Sequence, residues 1–259
     1  MAGAAQVMNP AAALTRSFER FGIRGAPTLL SYLAKTPLGR RIATVRLPAG
    51  QAISFPAYDA YWARYLYAGV PYEPDVEAIF RRFSKGRVLV DCGANMGYWS
   101  VRAEELGFLE AIAIEANESC MPLLERNHHG RNIHAAVHSQ SGMAMHLAGE
   151  GAAASVGESG KPVQSIALSD LEITNPALVK LDVEGAEIEA IKGAAGLDAI
   201  FVYEDWPRSG MPVTRYVLDN GFTVFGFDMS PIRTLADASY FNKRTTRTYG
   251  PSNFIAMRS

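Results

Sequence analysis

Arg87-Val-Leu-Val-Asp-Cys-Gly-Ala-Asn-Met-Gly97 decides the fold. An apolar run ends in an acid and breaks at once into a turn holding Gly93 and Gly97. Helical periodicity resumes at Tyr98 and continues to about Leu106, where Gly107 supplies a C-terminal stop. A buried strand, a tight turn and a helix in that order open a parallel α/β sheet covered on both faces. The pattern repeats outward from there. Upstream, Asp75 to Phe83 reads as a helix. Downstream, strands are expected at Ala111–Glu115, about Ile133–Val137, Ala177–Asp182 and Ala199–Glu204, with helices ending near Gly130 and Gly193. A further helix near Val213–Asn220 leads to Phe222–Phe227, and Asn253–Met257 closes the chain. The last two strands have no good helix between them and predict a terminal antiparallel pair. Met143–Leu147 reads as a short extra strand, and Gly149–Gly160 as a loop of small residues.

The region before this pattern is mixed. An Ala-rich helical stretch gives way to punctuation at Gly22, Gly25, Pro27 and Pro37. Ile42–Leu47 and Gln51–Phe55 flank Pro48-Ala-Gly50 and read as a hairpin. Tyr58, Tyr61, Trp62 and Tyr65 then fall at helical spacing, within an aromatic-rich segment from Phe55 to Tyr72. Such a stripe reads first as a buried helix face, and second as a lid over a substrate pocket. The expected division is an N-terminal extension over 1–72 and a ligand-binding domain over 73–259.

Composition narrows the function. With 25 Lys plus Arg against 26 Asp plus Glu, the net charge of −1 offers no electrostatic footprint for nucleic acid. No run of 18 apolar residues exists, so no membrane span is expected. The N-terminus lacks a signal-peptide pattern, and two cysteines, Cys92 and Cys120, form no disulfide framework. A cytoplasmic protein is expected. Asn117-Glu-Ser119 is read as a chance sequon.

Three strand ends carry the chemistry. In Asp91-Cys-Gly-Ala-Asn-Met-Gly97, the turn lets backbone approach a ligand at the helix N-terminus. Glu115 lies 24 residues after Asp91 and ends the second strand, where an acid typically accepts hydrogen bonds from a ribose diol. A dinucleotide turn needs three glycines, but the second and third positions from Gly93 hold Asn95 and Tyr98. A P-loop is absent too. S-adenosyl-L-methionine (SAM) fits better, since it has a ribose and no phosphate. Gly93, Asn95 and Gly97 would shape the donor loop, Asp91 would anchor the amino-acid end, and Glu115 would hold the ribose. At the fourth strand, Lys180-Leu-Asp-Val-Glu-Gly-Ala-Glu187 places Asp182 at the crevice, as orienter or base for an acceptor hydroxyl. At the fifth, Glu204 in Tyr203-Glu-Asp-Trp206 is the second catalytic candidate, with Trp206 a wall. Asp182 and Glu184 alone are weak support for a divalent cation, and no metal ligand is assigned.

Asp91-Cys-Gly-Ala-Asn-Met-Gly-Tyr-Trp-Ser100, Ile114-Glu-Ala116, Lys180-Leu-Asp-Val-Glu-Gly-Ala-Glu187, Tyr203-Glu204 and the lead-in Tyr72-Glu-Pro74 resemble the FkbM family of SAM-dependent methyltransferases. The resemblance implies a class I, Rossmann-like methyltransferase fold, with a mostly parallel seven-stranded sheet and a terminal antiparallel strand. It also implies SAM as donor and O-methylation of a sugar or secondary-metabolite hydroxyl. Ala116 stands where the family often has proline, and Ser169-Asp170 where many relatives carry two acids. The expected partner is thus a small-molecule or glycan acceptor, with no nucleic acid; the oligomeric state is open and includes a homo-oligomer. The alternatives are a nicotinamide-dependent oxidoreductase on a similar sheet and a non-catalytic binding module.

Other polar groups are set aside. His128 and His129 precede Gly130 at a helix end, and His134 and His138 would share one strand face if the strand extended that far. His138 could border the adenine or act as a base. Cys92 packs in the turn. Lys243-Arg-Thr-Thr-Arg247 reads as a solvated loop.

Overall fold

The computed structural model describes residues 11–12, 15–16, 26–148, 155–157, 160–183, 185–245 and 252–258. Most of the Ala-rich stretch, Gly22, Gly25, Glu184, Thr246, Arg247 and much of the Gly149–Gly160 loop lie outside the described residues. The chain divides into two compact units, Met1–Pro74 and Asp75–Ser259.

In the first unit, helix α1 (Ala26–Ala34) precedes the expected hairpin, β1 (Ile42–Arg46) and β2 (Ala52–Pro56), paired from Ile42–Pro56 to Arg46–Ala52. Helix α2 (Ala60–Leu66) starts where the Asp59 carboxylate accepts the backbone N–H groups of Tyr61 and Trp62. Its aromatic residues pack on one another. Trp62 and Tyr72 are buried with ring centroids 5.0 Å apart, Tyr65 lies 4.9 Å from Tyr72, and Tyr61 remains exposed.

The second unit is built on one eight-stranded sheet. Helix α3 (Pro74–Phe83) leads to β3 (Val88–Cys92), and α4 (Tyr98–Leu106) follows, ended by Gly107 in the left-handed conformation. Strand β4 (Ala111–Glu115), α5 (Met121–Asn127) and β5 (Arg131–His134) complete one half. Strand β10 (Ala177–Leu181), α6 (Glu187–Lys192), β11 (Ala199–Asp205), α7 (Pro212–Asp219), β12 (Phe222–Gly226) and β14 (Ser252–Arg258) form the other. The sheet order is β13-β12-β14-β11-β10-β3-β4-β5, where β13 (Pro231–Ile232) adds a short outer edge to the seven expected strands. The pairs from β11 to β5 are parallel, and β14 runs antiparallel between β11 and β12. This is the mostly parallel, class I methyltransferase arrangement. Every residue of β3, β4 and β10 is buried, as a sheet covered on both faces requires.

The crossover from β5 to β10 departs from the sequence reading. The third strand breaks at Ala135, and Ala136–Val137 (β6) joins a second sheet with β7 (Ala144–Ala148), β8 (Ser155–Gly157) and β9 (Lys161–Ile166) in the order β6-β9-β7-β8. Residues 155–157, expected within a loop, are therefore a strand. β9 escaped notice because it carries Pro162 and buries little besides Val163 and Ser165. The chain end is a second correction. Helix α8 (Leu235–Thr245) stands where no good helix was expected. Its apolar stripe is thin, but its start is well made. The Asp237 carboxylate accepts the Thr234 N–H at 2.9 Å, and Thr234 Oγ1 accepts the Asp237 N–H at 3.2 Å. Lys243 and Arg244 thus sit in a last helical turn, where Arg244 meets Asp228 at 2.6 Å. No described helix is long and apolar enough to cross a membrane.

Candidate active site

The order of pairing gathers the sequence-selected acids at one sheet edge. β3 lies between β10 and β4, with Lys180 opposite Asp91, Asp91 opposite Ala113, and Cys92 opposite both Leu181 and Ile114. The chain reverses direction of travel across the sheet there, which is where open α/β sheets bind ligands. The C-terminal ends of β3, β4 and β10 deliver the Asp91 loop, Glu115 and Asp182. Glu204 lies one residue past the paired Leu181–Tyr203 step on β11 and is half-buried.

The loop after β3 is tightly determined. Gly93, Asn95 and Gly97 all adopt positive φ, at 78°, 53° and 87°. Gly93 and Ala94 both donate backbone N–H groups to the Ile114 carbonyl, at 2.9 and 3.0 Å. A Cβ on Gly93 would overlap the carbonyl oxygen of Asp182, so the turn closes directly against the end of β10. Asn95 is not a glycine, and its left-handed conformation is held from outside. Its N–H donates to Glu115 Oε2 at 2.7 Å, and its side-chain Oδ1 accepts the Met96 N–H at 2.9 Å.

Glu115 is a buried carboxylate with both oxygens engaged: Oε1 accepts the Asn117 N–H at 2.7 Å. Burial pushes its carboxyl up, the two N–H groups oppose that, and the negative charges of Asp91 and Asp182 add to it. Each oxygen keeps a lone pair for a ribose hydroxyl. Asn117 also caps the short turn Glu118–Cys120 through Ser119, which gives the sequon a structural role.

Asp91 is 1% exposed. Its Oδ2 accepts the Ser100 hydroxyl at 2.7 Å, while Oδ1 has no hydrogen-bond partner among the described residues. Burial pushes the carboxyl up, and the Lys180 charge and the Ser100 hydrogen bond work against it. A buried acceptor without a donor is costly unless a ligand completes it. An ammonium group is the fitting donor. The residues present therefore suit SAM, whose amino-acid end carries an ammonium group for Asp91 and whose ribose would meet Glu115.

Asp182 follows β10, with its side chain 40% exposed and its Oδ2 2.8 Å from the Lys180 ammonium. Lys180 opens the same motif, and its place in the site is not evident from the sequence. The available signal was an ionisable residue inside a fully buried strand. At β11, Asp205 is the buried acid, and it accepts the backbone N–H groups of Thr214 at 2.7 Å and Trp206 at 2.9 Å. It receives an N-terminal N–H of α7, while Glu204 beside it is half-buried. Arg208 stacks on Trp206, 3.9 Å from the ring centroid.

The groups set aside fall into structural places. β5 ends at His134, so His138 does not share its face; His138 lies 4.0 Å from Glu189 on α6. His128 Nδ1 lies 2.7 Å from Asn132 Oδ1. Burial pushes the Cys92 thiol far up, so it is no nucleophile at neutral pH. Among the described residues no three His, Cys, Asp or Glu side chains cluster as metal ligands.

The profile of the methyltransferase FkbM domain matches residues 62–205. No curated protein matches the chain in sequence. Among solved structures, it is similar to the methyltransferase FkbM from Methylobacillus flagellatus KT at 14% identity and a TM-score of 0.44, covering 92% of this chain and 60% of that one. A TehB-like SAM-dependent methyltransferase from Corynebacterium glutamicum ATCC 13032 Kitasato is 12% identical, with a TM-score of 0.45 over 77% of this chain and 95% of that one. The ribosomal protein L11 methylase from Lactobacillus delbrueckii subsp. bulgaricus is 12% identical, with a TM-score of 0.44 over 71% and 77%.

Proposed function

The chain belongs to the FkbM methyltransferase family, and on that footing we propose that it methylates a hydroxyl oxygen of a sugar or secondary-metabolite acceptor. Its cofactor, SAM, supplies the methyl group on a positively charged sulfur. The observation that carries the proposal is the set of carboxylates at one sheet edge, Asp91, Glu115 and Asp182, around a turn that admits no extra side chain at Gly93. Such an edge favours a cationic nucleoside over a diphosphate-linked one.

Each residue then has a task. The Asp91 carboxylate accepts from the donor's amino group. Glu115 accepts from the ribose hydroxyls while its other lone pairs hold Asn95 and Asn117. Gly93, Asn95 and Gly97 fix the loop that keeps water from the reacting atoms. Asp182, more exposed than the others, orients the acceptor hydroxyl and takes its proton, and Glu204 shapes the same side. Both cysteines are free, which suits a reducing cytoplasm as the place of action.

The test is methyl transfer from labelled SAM to a panel of hydroxylated sugars, macrolides and phenols, with the product's new bond assigned by NMR. A new O-methyl group supports the proposal. Transfer only to nitrogen or carbon acceptors would overturn it.

A further inference from the structure

Lys180 and Asp91 are register partners across β3 and β10, so their side chains leave the sheet on the same face. Asp182, two residues beyond Lys180, is held by its ammonium at 2.8 Å. The Lys180 side chain is only 6% exposed, and lysine is rarely buried unless paired. Asp91 is faced by Lys180 from β10, Ser100 from α4, Asp182 after β10 and His128 after α5, with Cys92 beside it and Glu115 on β4. Lys180 is the amine of that set, bonded to Asp182.

We propose that Lys180 is a positioning residue, one ammonium serving as the shared counter-charge of Asp91 on the donor side and Asp182 on the acceptor side. The inference rests on the methyl-transfer reading and adds a group that touches neither reactant. Its consequence is a proton linkage. Burial favours the protonated form of Asp91, and Lys180 opposes it. Without the ammonium, Asp91 keeps its proton to higher pH, and a protonated acid is a poor partner for the donor's amino group. Donor affinity should then fall as pH is lowered.

SAM affinity is to be measured by calorimetry between about pH 6 and pH 8 for the wild type, Lys180→Met and Lys180→Arg. The donor's own amino group titrates in this range too, but it does so equally in every protein, so the ratio of Kd values isolates the enzyme. The Lys180→Met to wild-type ratio should grow by roughly fivefold or more from the alkaline to the acidic end. Lys180→Arg, which keeps the charge, should show no such growth of the ratio toward acidic pH, whatever its overall affinity. A ratio constant with pH overturns the proposal, because a merely structural defect weakens binding equally at every pH. Should the methionine variant not fold, Lys180→Gln gives the same test with a polar contact to Asp182 retained. If the wild type itself fails to bind SAM, the methyl-transfer reading falls and takes this inference with it.

Discussion

Gly93 passes so close to the carbonyl oxygen of Asp182 that no Cβ fits between them. The Asp91–Gly97 loop is thus closed directly onto the end of β10, and the Asp182 N–H also donates to the Cys92 carbonyl at 3.1 Å. Gly93→Ala meets this backbone overlap on top of the left-handed penalty of about 1–2 kcal/mol. Gly97→Ala has the same kind of φ, but the nearest atom it meets is a side-chain end, Leu124 Cδ1 at 2.8 Å, rather than backbone. Denaturant unfolding should show the first variant as the more destabilised, and SAM affinity should follow the same order.

Glu115 accepts one backbone N–H on each oxygen. Glu115→Gln keeps the shape but turns an NH2 toward one of those donors. The mismatch should cost about 1–3 kcal/mol of stability. SAM affinity should fall with it, as in Glu115→Ala. Calorimetry and thermal melting check both, and a Gln variant that binds like the wild type would remove the ribose role.

Asp182→Asn leaves the donor side largely in place at neutral pH. It should lower turnover by tenfold or more, with SAM affinity changed far less, on the usual scale of general-base loss. Single-turnover methyl transfer beside calorimetry separates the two. Intact turnover would mean that Asp182 is not catalytic.

Arg102 is a structural counterpart to these sites. Its side chain is 8% exposed and bridges Glu77 at 2.8 Å and Glu105 at 2.9 Å. The hydrogen bond from Arg102 holds the Glu77 carboxyl below its ordinary range, and Glu105 is held down by Arg102 and Arg81 against its own burial. The stabilisation is therefore present above the unfolded carboxylate range and lost as pH falls through the lowered values. Arg102→Met should cost about 2–4 kcal/mol at pH 7 and much less at about pH 2, well under the ordinary carboxylate range. Unfolding curves at the two pH values check it.

The strand-turn-helix around Asp91 was legible because a fully apolar run, an acid and two glycines leave few alternatives. The ends at Glu115 and Asp182 followed from the same alternation. Local patterns could not reveal pairing between distant strands. Lys180 is the example: nothing in Leu178-Val-Lys-Leu181 tells that Asp91 is its neighbour, since β3 and β10 are separated by half the domain. Glu204 was selected as a strand-end acid, but the task of its neighbour Asp205 became visible only with α7, whose Thr214 N–H it accepts. α8 was missed for the opposite reason. Its apolar stripe is weak, and its capping residues, Thr234 and Asp237, carried the information.

We infer that the ends of β3 and β4 take a nucleoside bearing positive charge rather than a diphosphate. Calorimetric titration of the wild-type protein with SAM, and separately with NADH, addresses this most directly. Saturable binding of SAM to one site per chain, with no heat from NADH, is the expected result; NADH binding in place of SAM would contradict it.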